Sequence, residues 1–211
     1  MEVPQYNMAG VFRSVFGHVP VHYAITEAEA ANPSFDYSGL DKVGADEVKN
    51  GTSWLDTPIN FKFGFAGGTY NYFAGGKIEK RKVEKFQFPL TTMVSVSRSK
   101  RDKITPVSAG DESVIEMYAF NPWEVRIQGV CVYDPSHPQA IQPADQRKLL
   151  ANLENAADSL DLEKVDGLFT DLGIYKLYIR GIHFGQLVGK PNQLPFEMTC
   201  LSDKPLELRT I

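Results

Sequence analysis

The sequence predicts an α+β fold: an antiparallel or mixed β-sheet or sandwich body with one main α-helix packed on it, preceded by an extended N-terminal arm. Three observations predict it. Period-two alternation fills much of the second half of the chain, one stretch over about 143–160 carries apolar residues at helical spacing, and the first third is broken up by glycine and proline. Strands, then one strong helix, then strands is the order of a sheet with a helix laid across it, not of a βαβ repeat.

The texture changes near Lys77, which divides the chain into an arm over 1–76 and a β-rich body over 77–211. Ten of the 17 glycines lie before Lys77, together with Pro4, Pro20, Pro33 and Pro58, too many breaks for long regular elements. The same region holds Phe12, Phe16, Tyr23, Trp54, Tyr70, Tyr72 and Phe73, more aromatic surface than a solvated linker tolerates. These side chains are therefore expected to bury against the body or a neighbouring subunit, and they are candidate interface residues. Within the arm, Thr26 and Glu29 have capping-box spacing for a short helix ended at Asn32-Pro33, and Ile59 to Phe65 alternates as a half-buried strand.

In the body, strands are expected over 83–88 and 91–97, with Pro89 between them. The polar, basic stretch 98–110 reads as a hairpin loop, and 113–120 resumes β-type alternation. From Glu124 to Val132 the residues Val125, Ile127 and Cys131 alternate with Arg126, Gln128 and Val130, interrupted on one face by Gly129. After a loop holding Pro135 and Pro138, Pro143 supplies the preset φ of a first helical turn. Leu149, Leu150, Leu153, Ala156, Ala157 and Leu160 then form one apolar face. Gly167 and Gly173 bracket a short helical turn, and strands over 174–184 and 194–201 close a final hairpin.

With 43% hydrophobic and 23% charged residues in a chain of 211, a folded globular protein is expected. Lys and Arg total 22 against 26 Asp and Glu, and a formal charge of −4 is too mild for a dedicated nucleic-acid binder. No segment approaches the roughly 20 apolar residues needed to span a bilayer, and the first residues lack the basic and apolar pattern of a secretory leader, so no membrane role is expected. Cys131 and Cys200 sit in strand-like positions, which fits a reducing compartment.

No catalytic, cofactor or metal constellation emerges. His18 and His22 have i, i+4 spacing, but Pro20 between them breaks the helix such a zinc site needs. The glycines from Gly64 to Gly76 are not followed by the Lys-Ser/Thr of a phosphate-cradling loop, and turns explain them. The acidic run from Asp158 to Asp171 lacks the ligand ladder of an EF-hand. Arg98, Lys100, Arg101 and Lys103 are the densest positive feature. They suggest a nucleic-acid or glycan contact, but no aromatic platform interleaves them, and a solvated hairpin tip accounts for them better.

Taken together, Glu112 to Glu116 leading to Trp123 through Gly129, the Pro-containing loop and leucine helix, Leu172-Gly173-Ile174 and Leu201-Ser202-Asp203 resemble a family of uncharacterised proteins from Bacteroidetes phages and related tail-like gene clusters. The resemblance runs from about Phe88 to Leu208, with Leu55 to Ile59 similar to an upstream piece. It implies a non-enzymatic virion protein, like the adaptors that join a tail tube to its baseplate, assembled in the host cytoplasm. No cofactor comes with it. Its implied partners are copies of itself in a ring and other tail or baseplate proteins; direct nucleic-acid contact through residues 98–103 is the alternative.

Overall fold

The computed structural model describes residues 6–17, 35–36, 64–89, 92–107, 113–135, 137–163, 168–185 and 193–204. The expected helix near 26–31, the histidine pair at 18 and 22, Tyr23 and Trp54 lie outside them.

At the centre is a five-stranded sheet among the described residues. Its strands are β7 (Met93–Ser97), β10 (Glu124–Cys131), β11 (Leu160–Asp161), β12 (Lys176–Phe184) and β13 (Leu194–Ser202), ordered β11-β12-β13-β10-β7 with every neighbour antiparallel. The alternation read from the sequence places the faces. Val125 and Ile127 of β10, Leu177 and Ile179 of β12, and Leu194, Phe196, Met198 and Cys200 of β13 all point into one core. Gly129 stands opposite Phe196, and a Cβ there would lie 2.8 Å from the phenyl ring. The glycine that interrupts the β10 pattern thus makes room for an aromatic ring from the next strand.

A helix covers this inner face. It is α2 (Pro143–Leu153), numbered after α1 (Met8–Phe16), and it buries Leu150 and Leu153. Its first turn is fastened by Gln146, whose Nε2 donates to the carbonyls of Val132 and Ala140, both at 2.9 Å. The helix is shorter than the expected 143–160. Beyond Glu154 the backbone leaves the helical path, because the Asn155 carbonyl accepts from Phe73 N–H and Ala157 N–H donates to Asn71. Ala156 and Leu160 are still buried, but from extended chain, so their helical spacing has no helix behind it. Among the described residues α1 is of similar length to α2, and α3 (Leu168–Asp171) is the short turn expected before Gly173.

The expected arm is, where described, neither wholly extended nor detached. Asn7 caps α1 by accepting from Gly10 N–H at 2.7 Å, and Gly17, at φ 77°, ends it. Val11 and Phe12 bury against Met93, Val130 and Val132 on the outer face of the sheet. After β1 (Tyr6–Asn7), β2 (Phe35–Asp36) and β3 (Gly64–Phe65) comes a hairpin of β4 (Gly68–Ala74) and β5 (Lys77–Val83). Its turn is Gly75-Gly76, both at positive φ, the two-residue geometry that matches strand twist. The division near Lys77 therefore falls inside one hairpin. The strand expected over 83–88 is split as well, into the end of β5 and β6 (Phe86–Gln87), which pairs with β3.

One further correction concerns 98–110, expected as a loop. Residues Lys100–Pro106 form β8, paired with β9 (Ser113–Phe120). Ser97 pairs with Glu124 and Lys100 with Phe120, so β7 runs on into β8, and β9 into β10. The ribbon β8–β9 is thus a continuation of two sheet strands beyond the body. At 3.3 Å per residue its seven-residue strand reaches about 23 Å.

Candidate functional site

Every residue of β8 and β9 is exposed. Polar side chains explain part of that, but Ile104, Val114, Ile115, Met117, Tyr118 and Phe120 are large apolar groups left in solvent, as is Val107 just past β8. Register sorts them. Ile104 stands opposite Ile115, and two residues along on the same face Asp102 stands opposite Met117. Lys103 opposite Glu116 and Thr105 opposite Val114 occupy the other face. Tyr118 shares that second face with Glu116 and donates its hydroxyl proton to the carboxylate at 2.8 Å, which raises the phenol above its ordinary range. The ribbon therefore carries apolar groups on both sides, with Ile104, Ile115 and Met117 forming the more continuous patch.

At its root the ribbon is fixed. The Arg98 guanidinium lies over the rings of Phe120 and Trp123, 4.4 and 5.1 Å from their centroids. Arg98 Nε donates to the Asn121 carbonyl at 2.8 Å, and Asn121 Nδ2 donates to Ser99 Oγ at 2.8 Å. A register shift in the β8–β9 pairing falls between Arg101 and Asp102, just beyond this knot.

The candidate interface residues separate into three groups. Phe12, Tyr70 and Tyr72 are buried in this chain's own cores, and Phe16 packs on Phe12 with ring centroids 6.2 Å apart. Burial raises both tyrosine hydroxyls above their usual range, and Tyr70 Oη also donates to Asp161 at 3.2 Å. Phe73 alone of the described arm aromatics named above is exposed, at the tip of the β4–β5 hairpin opposite Ile78. Of the four cations, Lys100, Arg101 and Lys103 lie along β8, while Arg98 is engaged at the root. The apolar residues of the ribbon escaped the sequence reading. Their signal was present in 113–120, where both sides of the alternation carry apolar groups and neither side is reserved for solvent.

Other places in the fold offer little chemistry. Among the described residues, no three His, Cys, Asp or Glu side chains gather as metal ligands. An open groove of about 380 Å³ lies between Glu154, Arg180, His183, Glu197 and Thr199. Its carboxylates are engaged: Glu154 accepts from Ile182 N–H at 3.4 Å, and Glu197 accepts from Arg126 and Gln128, both at 3.1 Å. Cys131 and Cys200 are buried, which pushes each thiol up to about 12. Neither is poised as a nucleophile. No helix among the described residues is long and apolar enough to cross a membrane.

A family model matches residues 87–210, more than half of the chain. The chain belongs to the DUF6046 family, described as a domain of unknown function. The DUF6046 span opens at the end of β6 and takes in the whole ribbon, the central sheet and α2, while α1 and the β4–β5 hairpin precede it. No curated protein matches the chain. A solved structure described as "Tail of empty GTA particle computed with helical refinement, C6 symmetry" is similar at 13% identity. The match covers 67% of this chain and 96% of that one with a TM-score of 0.30, too low to carry a shared architecture.

Proposed function

We propose that this DUF6046 protein is a structural subunit of a phage-type tail or baseplate, in the manner of a tube-to-baseplate or tail-adaptor ring, and that it acts by subunit–subunit assembly without turnover of its own. The observation that carries the proposal is the β8–β9 ribbon, whose strands run about 23 Å with apolar side chains on both faces. A two-stranded ribbon is marginally stable in water by itself. Covering it contributes about 25 cal/mol per Å² of apolar surface, which favours a partner that closes over it. The resemblance to tail-associated phage proteins supplies the kind of partner: further copies of this chain and adjoining tail proteins. The ribbon grows out of β7 and β10 and projects from the sheet, the form suited to reaching a neighbour.

The test is excision. Residues 100–120 are removed and Ser99 is joined to Asn121 through an Asn-Gly turn, and the purified chains are compared by sedimentation and electron microscopy. The intact chain is expected to form closed rings or stacks as concentration rises, and the excised chain to stay monomeric with its body folded. Rings that form equally well without the ribbon, or an intact chain that stays monomeric at every concentration, would contradict the proposal.

A further inference from the structure

We infer that Arg98 is the positioning residue of the ribbon: it locks the direction in which β8–β9 leaves the body and so sets the geometry in which a neighbour is met. The inference rests on the assembly reading above and adds to it a residue outside the contact surface.

Arg98 touches both parts that must be held in register. On the body side, Trp123 is bolted to the end of β13, its N–H donating to Ser202 Oγ at 2.9 Å and its carbonyl accepting from Ser202 N–H at 2.8 Å. On the ribbon side, Phe120 is the last residue of β9 and pairs with Lys100, the first of β8. The guanidinium faces both rings at once, 4.4 Å from the Phe120 centroid and 5.1 Å from that of Trp123. A planar cation held over two ring faces ties them to one another, and each such contact is favourable. Arg98 Nε also donates to the Asn121 carbonyl, in the connection between β9 and β10. Asn121 in turn reaches back to the β7–β8 connection through Ser99, by its backbone N–H at 3.0 Å and its side chain at 2.8 Å, and accepts from Arg101 at 3.3 Å.

This knot sits where the sheet ladder has a gap. Pairing between the two strands stops at Ser97–Glu124 and restarts at Lys100–Phe120, leaving Arg98-Ser99 and Asn121 to Trp123 between them. A ribbon joined to a sheet through such a gap would swing. The Arg98 contacts brace the gap beside the single Asn121 N–H to Ser99 carbonyl bond that crosses it. Lysine cannot reproduce them, since it has neither a flat face to lie on two rings nor an Nε donor held at an angle to its tip.

The experiment reads ribbon direction without relying on assembly. Spin labels are placed at Thr105→Cys on the ribbon and Lys148→Cys on α2; the native thiols are buried and stay unlabelled. Distances are measured by pulsed electron resonance under dilute conditions, in the otherwise native chain and with Arg98→Ala or Arg98→Lys. A single narrow distance is expected with Arg98, and its loss to a broad distribution with either substitution, while the circular dichroism and melting of the body are unchanged. In parallel, unlabelled Arg98→Ala is expected to raise the concentration at which particles form by about tenfold. A distance that stays narrow in Arg98→Ala overturns the inference whatever the assembly does. Broadening with undiminished assembly also overturns the positioning role. If the native chain shows the narrow distance and never assembles, the joint stands and the assembly reading fails.

Discussion

Ile104 and Ile115 face each other across the β8–β9 ribbon and remain 61% and 66% exposed. A directly opposed pair of β-branched residues is a favourable cross-strand unit, yet here it lies on a face with nothing from the described chain above it. Replacing both with serine should leave the melting temperature of the isolated chain nearly unchanged, since exposed substitutions usually act within about 0.5 kcal/mol. Assembly should fall sharply, because the same surface is fully desolvated only in a complex. Melting curves and sedimentation on the same samples separate the two effects.

Gly129 is held small by Phe196. With the ring 2.8 Å from where a Cβ would stand, Gly129→Ala must displace either the phenyl group or β10. Overpacking of this kind costs about 1–3 kcal/mol. Urea unfolding should show the loss as a lower midpoint at unchanged slope, and Phe196→Leu in the same chain should recover part of it by clearing the clash.

The two thiols make the fold sensitive to alkali. Each titrates at an ordinary value of 9.0 when free and near 12 when buried, so the fold favours the protonated form. Their contribution is complete below pH 9 and drains away as pH rises through the interval toward 12. The hydroxyls of Tyr70 and Tyr72, raised by burial, act in the same direction above their ordinary value of 10.0. Stability measured by denaturant should therefore fall steeply on the alkaline side. At neutral pH a thiol reagent should label neither cysteine in the native state and both after denaturation.

Tyr70 ties the segment before the DUF6046 span to the body. Its hydroxyl donates to Asp161 at 3.2 Å, and it lies beside Tyr72 in the main core. Tyr70→Phe should cost about 1 kcal/mol, the value of a typical hydrogen bond. Tyr72→Ala should cost about 3–5 kcal/mol, as deletion of a buried aromatic does. Hydrogen exchange should show β4–β5 opening first in the second variant.

How far the residues announced this fold depended on whether their surroundings were one-sided. Strands β10, β12 and β13 were legible to within two residues because, over most of their length, one face meets the main core while the other is more exposed. The start of α2 was marked by Pro143, but its end was hidden, since Ala156 and Leu160 keep helical spacing while burying from extended chain. Helix α1 had a readable cap in Asn7, a stop in Gly17 and apolar residues at Val11, Phe12 and Val15, and was lost to the surrounding glycine-rich texture. Strand β8 could not be read from Lys100 to Lys103, because with solvent on both faces nothing imposes a period of two. The four cations fall on this ribbon and its root, where Arg98 is engaged within the chain, and the exposed apolar groups beside them carried no one-sided pattern.

Met117 offers the most direct test, being 48% exposed and among the apolar side chains a neighbour would cover. Oxidative footprinting across a concentration series would follow its conversion to the sulfoxide alongside modification of Tyr175, which is exposed on the body. The account predicts fast oxidation of Met117 in dilute monomer and strong protection once particles form, with Tyr175 serving as the reference within the same chain. Particles in which Met117 oxidises as fast as it does in the monomer would contradict it.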